Sequence, residues 1–346
     1  MRKILTALVL ISILALPAHA LDLTAPPVPD YAEKFMPPDQ SNFTQGLLGV
    51  LRDALLAIRP DLKEASRVCL RIAAVVVAVS LLRTFPGASE KTANLVSGIA
   101  IALILLDASN SLINLATATV TEISEYGKLL LPVMTAALAG QGGIGTSSAL
   151  YAGTALFDAL LTSVIGKLLT PMVYLYLLLA VAGSTTGEDI LKKLRDTMKW
   201  AMTWSLKTIL YVYTGFISIT GVVSGTTDAA ALKAAKITIS SVVPVIGGIL
   251  SDASEAVLVS AGVVKNAAGI YGFFAILAIW IGPFLQIGIH YLLLKATGAV
   301  CAIFASHENT ELIKDFSSAM GLLLAMTGTI CLMLLISLVC FLKGVG

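Results

Sequence analysis

Apolar residues follow one another almost without interruption from residue 68 to residue 342, divided only by short charged or Gly/Pro-containing stretches. A helix that crosses a membrane needs about 20 apolar residues. Several segments are shorter, and these suggest half-helices or re-entrant hairpins, so we expect about six to eight true crossings. The predicted apolar segments are 68–82, 95–119, 129–140, 146–182, 200–225, 237–250, 253–265, 268–305 and 319–342.

A different pattern precedes this apolar body. Between Phe43 and Leu62, apolar residues recur at helical spacing while charged residues fill the other face. The pattern predicts an amphipathic helix, or a helix pair interrupted near Pro60. Such an element could lie on the outer membrane surface, dock a partner or pack back on the membrane domain. Residues 24–38 hold five prolines, which is typical of an extended linker.

The first residues read as an export signal. Arg2 and Lys3 precede an apolar run over 4–16 and a small-residue cleavage site at Ala18-His19-Ala20, with an uncleaved anchor helix as the alternative. We therefore predict three regions. They are a signal peptide at 1–20, an extracytoplasmic proline-rich linker and amphipathic helix at 21–66, and a polytopic transmembrane domain at 67–346.

Composition agrees with a membrane location. Of the 346 residues, 57% are hydrophobic and only 13% charged, against about 25% charged in soluble domains. The predicted fold class is an all-α polytopic membrane protein. Four lysines and arginines lie at 187–199, and Arg83 and Lys91 mark a second basic stretch. Both stretches are predicted to be cytoplasmic loops, which makes the mature N-terminus extracytoplasmic. A net charge of +2 gives no basic field for nucleic acid.

Motifs of catalysis are missing from the sequence. It contains no HExxH, Walker A or GxSxG pattern, and its four cysteines form no CxxC pair. We predict no catalytic, cofactor or metal site from these residues. An intramembrane aspartyl protease would have to pair Asp107 with Asp158.

Two stretches place polar residues where lipid is expected. Asp107, Asn110 and Asn114 share one helical face, which indicates a wet pathway, a subunit interface or interhelical hydrogen bonds. Further along, Pro244 with Gly247 and Gly248 predicts a helix break.

A new helix should follow that break over 253–265. Asp252 and Glu255 have the spacing of a helix start, and Lys265-Asn266 should lie near the helix end, where a cation complements the dipole. Broken helices at membrane depth line cavities or are buried in protein.

Residues 220–269 resemble the stage III sporulation protein AE family, in which a TD-x(4)-(K/R)-x-A-K run leads into VPV-G, SDA and VKN-x-x-G. The resemblance extends over about residues 40–346, with an exported N-terminus, a polytopic body and a hydrophobic C-terminal span. The matching residues are Thr227, Asp228, Lys233, Ala235, Lys236, Val243, Pro244, Val245, Gly247, Ser251, Asp252, Ala253, Val264, Lys265, Asn266 and Gly269.

The resemblance implies a non-enzymatic integral membrane subunit of a multiprotein, secretion-like channel complex that connects mother cell and forespore and is needed for forespore development. It implies a location in the mother-cell membrane around the forespore. It also implies other stage III proteins as partners, including a cytoplasmic ATPase and ring-forming membrane proteins, with membrane lipid and further copies of the chain. No cofactor is expected.

The alternative is a stand-alone secondary transporter with a broken-helix substrate site. In the channel reading, the candidate residues for a gate or a subunit contact are Asp107, Asn110, Asp252, Glu255, Lys265 and Asn266.

Overall fold

The computed structural model describes residues 25–37, 43–82, 89–186, 188–242 and 247–343, without the side chains at 90–91, 221–262 and 264. Within these ranges the chain is helical and has no β-strand. The predicted signal peptide lies outside them. The helices are α1 Asp30–Glu33, α2 Phe43–Ala57, α3 Arg59–Leu82, α4 Glu90–Gly140, α5 Ile144–Val164, α6 Thr170–Thr186, α7 Asp189–Val242, α8 Gly247–Cys301 and α9 His307–Lys343.

The prediction of an all-α polytopic membrane protein is confirmed. Five helices of the described part are long and apolar enough to cross a membrane, with α5 and α6 counted as one because a π-helical turn at Ile165–Leu169 joins them. Several are much longer than the roughly 20 residues of one crossing, so the number of crossings stays a prediction. The candidate spans are Arg59–Leu82, Thr92–Gly140, Ile144–Thr186, Lys265–Cys301 and His307–Lys343.

Helix α9 is the centre of the bundle. It packs against α4, α5, α6, α7 and α8. Its residues are apolar on all sides over most of its length, which is the pattern of a helix surrounded by protein. Phe316, Met320, Ile330 and Phe341 are fully buried along it. These five helices therefore each place one face on α9, whereas α1, α2 and α3 pack on α8.

The amphipathic segment forms the predicted helix pair. Helix α2 ends at Ala57 and α3 begins at Arg59, so the interruption lies beside Pro60 as expected. The pair packs back on the membrane domain. The Phe43 ring lies 5.0 Å from that of Phe273 on α8, and Phe274 lies against the backbone of Gly46. Helix α3 continues unbroken through residues 66 and 67, where the sequence pattern predicted a domain boundary.

The structure corrects several predicted helix limits. Segments 95–119 and 129–140 belong to the single helix α4, whose amphipathic stretch between them buries Val120, Ile123 and Tyr126. Segments 253–265 and 268–305 likewise fall within α8, except for the last four residues. The short half-helices predicted at 129–140 and 253–265 are therefore wrong. Residues 189–199, predicted as part of a loop, are the first turns of α7.

Candidate functional site

A polar stripe follows the outward face of α4. Its residues are exposed, and at about 100° per residue their positions fall within about 100° of the helix circumference. They extend from Asp107 to Lys128, 21 positions further along, which is a rise of about 31 Å. The residues of this α4 polar stripe are Asp107, Asn110, Ser111, Asn114, Thr121, Glu125 and Lys128.

The same face of α4 is apolar before the stripe begins. Val96, Ile99 and Leu103 are exposed one to three turns before Asp107 and suit contact with lipid. The opposite face, with Ile101, Leu105, Leu112 and Ile113 among its residues, is buried in the bundle. The polar residues thus point away from the chain's own core. Within the stripe, Asn110 accepts a hydrogen bond of 2.9 Å from the Tyr174 hydroxyl on α6.

The candidate residues from the second stretch all fall on α8 or just before it. Helix α7 ends at Val242 and α8 begins at Gly247, while Pro244 lies outside the described residues. Gly247 and Gly248 are thus the first residues of α8. The side chains of Asp252 and Glu255 also lie outside the described part.

Asp252 and Glu255 were predicted at a helix start and Lys265 near a helix end, but α8 begins before the first two and continues well beyond the third. Asp252 is in the second turn of α8, which starts before it, so the predicted helix start at this residue is wrong. Lys265 is buried and Asn266 is exposed, and both lie mid-helix because α8 continues to Cys301. The predicted role of Lys265 at a helix end is therefore also wrong.

The two groups of candidate residues do not come together. Leu130 on α4 lies against Gly272 on α8, and Leu115 shares a cavity with Gly282, so the two helices are antiparallel. Asp107 is about 35 Å from the level of Leu130 along α4, and Lys265 lies on the far side of Gly272. A single gate built from both groups within one chain is therefore not formed.

Asp158 is buried in a polar network that links the helices. Its carboxylate accepts a hydrogen bond of 2.5 Å from Ser124 on α4, and Thr154, one turn earlier on α5, contacts Ser337 on α9 at 2.8 Å. Asp107 lies 17 residues before Ser124, or about 25 Å along α4. The two aspartates cannot share one catalytic water, so the structure contradicts the protease alternative.

A second polar site, which the sequence did not reveal, joins α6, α7 and α9 at one end of the bundle. Arg195 on α7 is buried; its Nε lies 2.9 Å from Asp315 Oδ2, and its Nη1 donates to the Leu179 carbonyl at 3.1 Å. Asp315 also accepts a hydrogen bond of 2.8 Å from the Tyr176 hydroxyl. Arg195 thus joins all three helices.

The exposed rim of this cluster is also ion-paired. Lys192 Nζ lies 2.6 Å from Glu311 Oε1, and His307 contacts the same carboxylate at 3.4 Å. The hydrogen bond to Glu311 raises the pKa of the Lys192 ammonium. The sequence pattern indicated only a role in membrane orientation for Lys192 and Arg195. Their acidic partners lie more than a hundred residues away, and no local spacing could have indicated them.

Replacing Gly183 with alanine is expected to loosen this cluster. A Cβ at Gly183 would lie 2.2 Å from Arg195 Nη1, so the buried guanidinium would have to shift. We expect a loss of about 1 to 3 kcal/mol in the free energy of unfolding, measured by denaturation of the purified chain in detergent. Gly215→Ala is the matched control, because no atom lies within 4 Å of its added Cβ and alanine favours the helix. Equal stability of the two variants would contradict this packing.

Metal binding receives no support from the geometry. Among the described residues, no group of three or more His, Cys, Asp or Glu side chains could hold an ion. The four cysteines are free thiols. The arrangement offers instead an outward polar face within a candidate membrane span and a buried charge cluster that holds helices together.

Comparisons with known proteins give the family. Residues 39–344 match the family described as Stage III sporulation protein AE. Stage III sporulation protein AE of Bacillus subtilis (strain 168) is 26% identical over 187 residues, which are 54% of this chain and 46% of that relative. The match thus spans about half of the relative's length. No solved structure matches the chain. Because the family match covers most of its length, the chain belongs to the stage III sporulation protein AE family, a family of sporulation proteins.

Proposed function

We propose that this protein is a non-enzymatic integral membrane subunit of a multiprotein, secretion-like channel that connects mother cell and forespore. Within that complex the α4 polar stripe faces a water-filled path. The family gives the sporulation role, and the structure gives five candidate membrane spans to carry it. In this complex the protein lies in the mother-cell membrane around the forespore and borders the aqueous path.

The exposed polar stripe on α4 is the observation that carries this proposal. Asp107, Glu125 and Lys128 are charged, and the stripe lies within the candidate span Thr92–Gly140. Lipid cannot hydrate charges or amides, so such a face must meet water or protein. A protein surface would have to match charges of both signs along about 31 Å, whereas water satisfies all of them. Polar rows of this kind line conduits in membranes.

Features at the start of α7 support the orientation. Lys192, Lys193 and Lys199 are exposed there, and basic residues concentrate on the cytoplasmic side of membrane proteins. Trp200 and Trp204 follow directly, are exposed, and stack with ring centroids 6.1 Å apart. Tryptophan is enriched at the membrane–water interface. The start of α7 is therefore cytoplasmic in our proposal, and the mature N-terminus is extracytoplasmic.

The partners in this proposal follow from what one chain lacks. The sequence has no phosphate-binding loop, so energy has to come from a separate cytoplasmic ATPase. A single stripe cannot enclose a path, so further copies or ring-forming stage III proteins must complete the wall. Particles solubilised mildly from sporulating cells should contain this chain together with those partners in a ring-sized assembly.

Deletion of the gene in its host tests the proposed function. Spore development should stop after engulfment, with a forespore that does not stay metabolically active, and re-expression of the intact chain should restore it. Normal spores from the deletion strain would refute the proposal. Saturable, ion-coupled uptake by the reconstituted chain alone would instead support the stand-alone transporter.

A further inference from the structure

A cavity of about 420 Å³ lies where the N-terminal segment meets the membrane helices. Four parts of the chain form its walls: the segment around α1, the α2–α3 junction, the middle of α4 and α8 beside Pro283. Its volume is within the range typical of small-molecule sites. The wall residues on which the argument rests are Tyr31, Lys34, Phe35, Asp61, Glu122 and Gln286.

The N-terminal segment is anchored to the helices by specific contacts, so the cavity has a defined wall on that side. The Tyr31 hydroxyl donates a hydrogen bond to Glu122, and the Tyr126 hydroxyl donates to the Pro26 carbonyl at 3.3 Å. Phe35 is buried against Gly282. Burial, with the bond to Glu122, raises the pKa of the Tyr31 phenol far above its usual range, so it remains a neutral donor.

Charge in the cavity is unbalanced toward the negative. Two carboxylates, Asp61 and Glu122, face it against one ammonium, that of Lys34. The Lys34 ammonium lies over the Phe35 ring, 4.8 Å from its centroid. Among the described residues, no lysine or arginine lies within ion-pair distance of either carboxylate. Counted over the lining residues, the cavity therefore has one carboxylate more than it has ammonium groups.

The remaining walls suit an ammonium group attached to a short carbon chain. The side-chain amide oxygen of Gln286 offers a hydrogen-bond acceptor in this wall. The Tyr31 and Phe35 rings can contact a cation through their faces and a carbon chain through van der Waals packing. Leu115 and Leu285 complete an apolar part of the surface.

We propose that this cavity binds a small organic cation, a metabolite bearing a primary amine on a short carbon chain. Asp61 receives the ammonium, and the aromatic and leucine side chains pack along the carbon chain. The cavity is formed within one described chain and does not depend on the channel function, so either proposal can fail while the other stands.

Calorimetric titration of the purified full chain in lipid nanodiscs tests this site, with putrescine and lysine as probes and glutamate as the charge control. Both amines should bind saturably at one site, and glutamate should not. Asp61→Asn should weaken amine binding by about tenfold or more, because a hydrogen-bonded charge pair is lost. Glu64→Gln is the matched control, since Glu64 carries the same charge one turn later, is exposed and does not line the cavity.

The site is refuted by any of three results. They are the absence of saturable binding of both amines, glutamate binding of equal strength, and an equal effect of Asp61→Asn and Glu64→Gln. Because Asp61 is partly exposed, both variants should keep the wild-type melting temperature, which verifies that lost binding is not lost folding. A spore phenotype plays no part in this readout.

Discussion

Arg195→Ala should lower the stability of the chain more than Gly183→Ala does, and by the largest amount expected for one replacement in the α6, α7 and α9 cluster. The guanidinium is buried, and its removal leaves the Asp315 carboxylate and the Leu179 carbonyl without their partner. Removing one member of a buried ion pair typically costs about 3 to 5 kcal/mol, because the other charge stays buried and uncompensated. We therefore expect little folded protein in the membrane and a strongly lowered melting temperature in detergent.

Two comparisons make this result specific. Lys193→Ala removes an exposed charge two positions away and should change the free energy of unfolding by less than about 0.5 kcal/mol. Arg195→Lys keeps the charge but loses the planar fork that reaches both Asp315 and Leu179, so it should fall between the other two. If Arg195→Ala were as stable as Lys193→Ala, α6, α7 and α9 would not depend on this cluster.

The double replacement of Asp107 and Asn114 by leucine should have the largest effect on function. Both side chains are exposed and neither has an ion pair to another described residue, so the fold loses no charge pair within the chain. Leucine would suit a surface that faced lipid, and such a surface would be left unharmed or stabilised. A water-filled path would lose a charge and an amide and would gain two apolar side chains.

The expected outcome is a protein that accumulates and co-purifies with its partners while spore yield falls by more than about tenfold. Heat-resistant spores are counted beside membrane levels of the protein. Leu103→Met, on the same face one turn before Asp107, is the control and should sporulate normally. Normal spore yield from the double variant would mean that the stripe has no aqueous role.

Hydrophobic pattern alone predicted the class of fold and much of the N-terminal region. The helix pair is divided beside Pro60, and Asp107, Asn110 and Asn114 share one face, as their spacing required. The direction of that face was not predictable, because it depends on which side of α4 the other helices cover. The predicted face turned out to be the first half of a longer polar stripe.

Helix limits failed where an amphipathic stretch resembled a loop. Glu122, Glu125 and Lys128 lowered the hydropathy between two apolar segments, yet Ile123 and Tyr126 beside them are buried and keep the helix in register. Hydropathy averaged over a window cannot separate a loop from a helix with one polar face. The Arg195 cluster was missed for a different reason, since its partners Glu311 and Asp315 meet it only through tertiary packing.

The orientation of the stripe in the assembled complex is the central claim, and thiol labelling measures it directly. Single cysteines replace Ile99, Asp107, Asn114 and Thr121 one at a time, and a membrane-impermeant charged maleimide is applied to complexes in native membranes. Labelling is measured above the background of the chain's own four cysteines, two of which are buried. Thiolates form and react in water, so the rate reports the surroundings of each position.

Cysteines at 107, 114 and 121 should react at least about tenfold faster than the cysteine at 99, which lies on the same face before the stripe begins. That result would mean that the stripe faces water inside the complex. Equal and slow reaction at all four positions would place the stripe against lipid or sealed protein, and the proposed aqueous path along α4 would then be wrong.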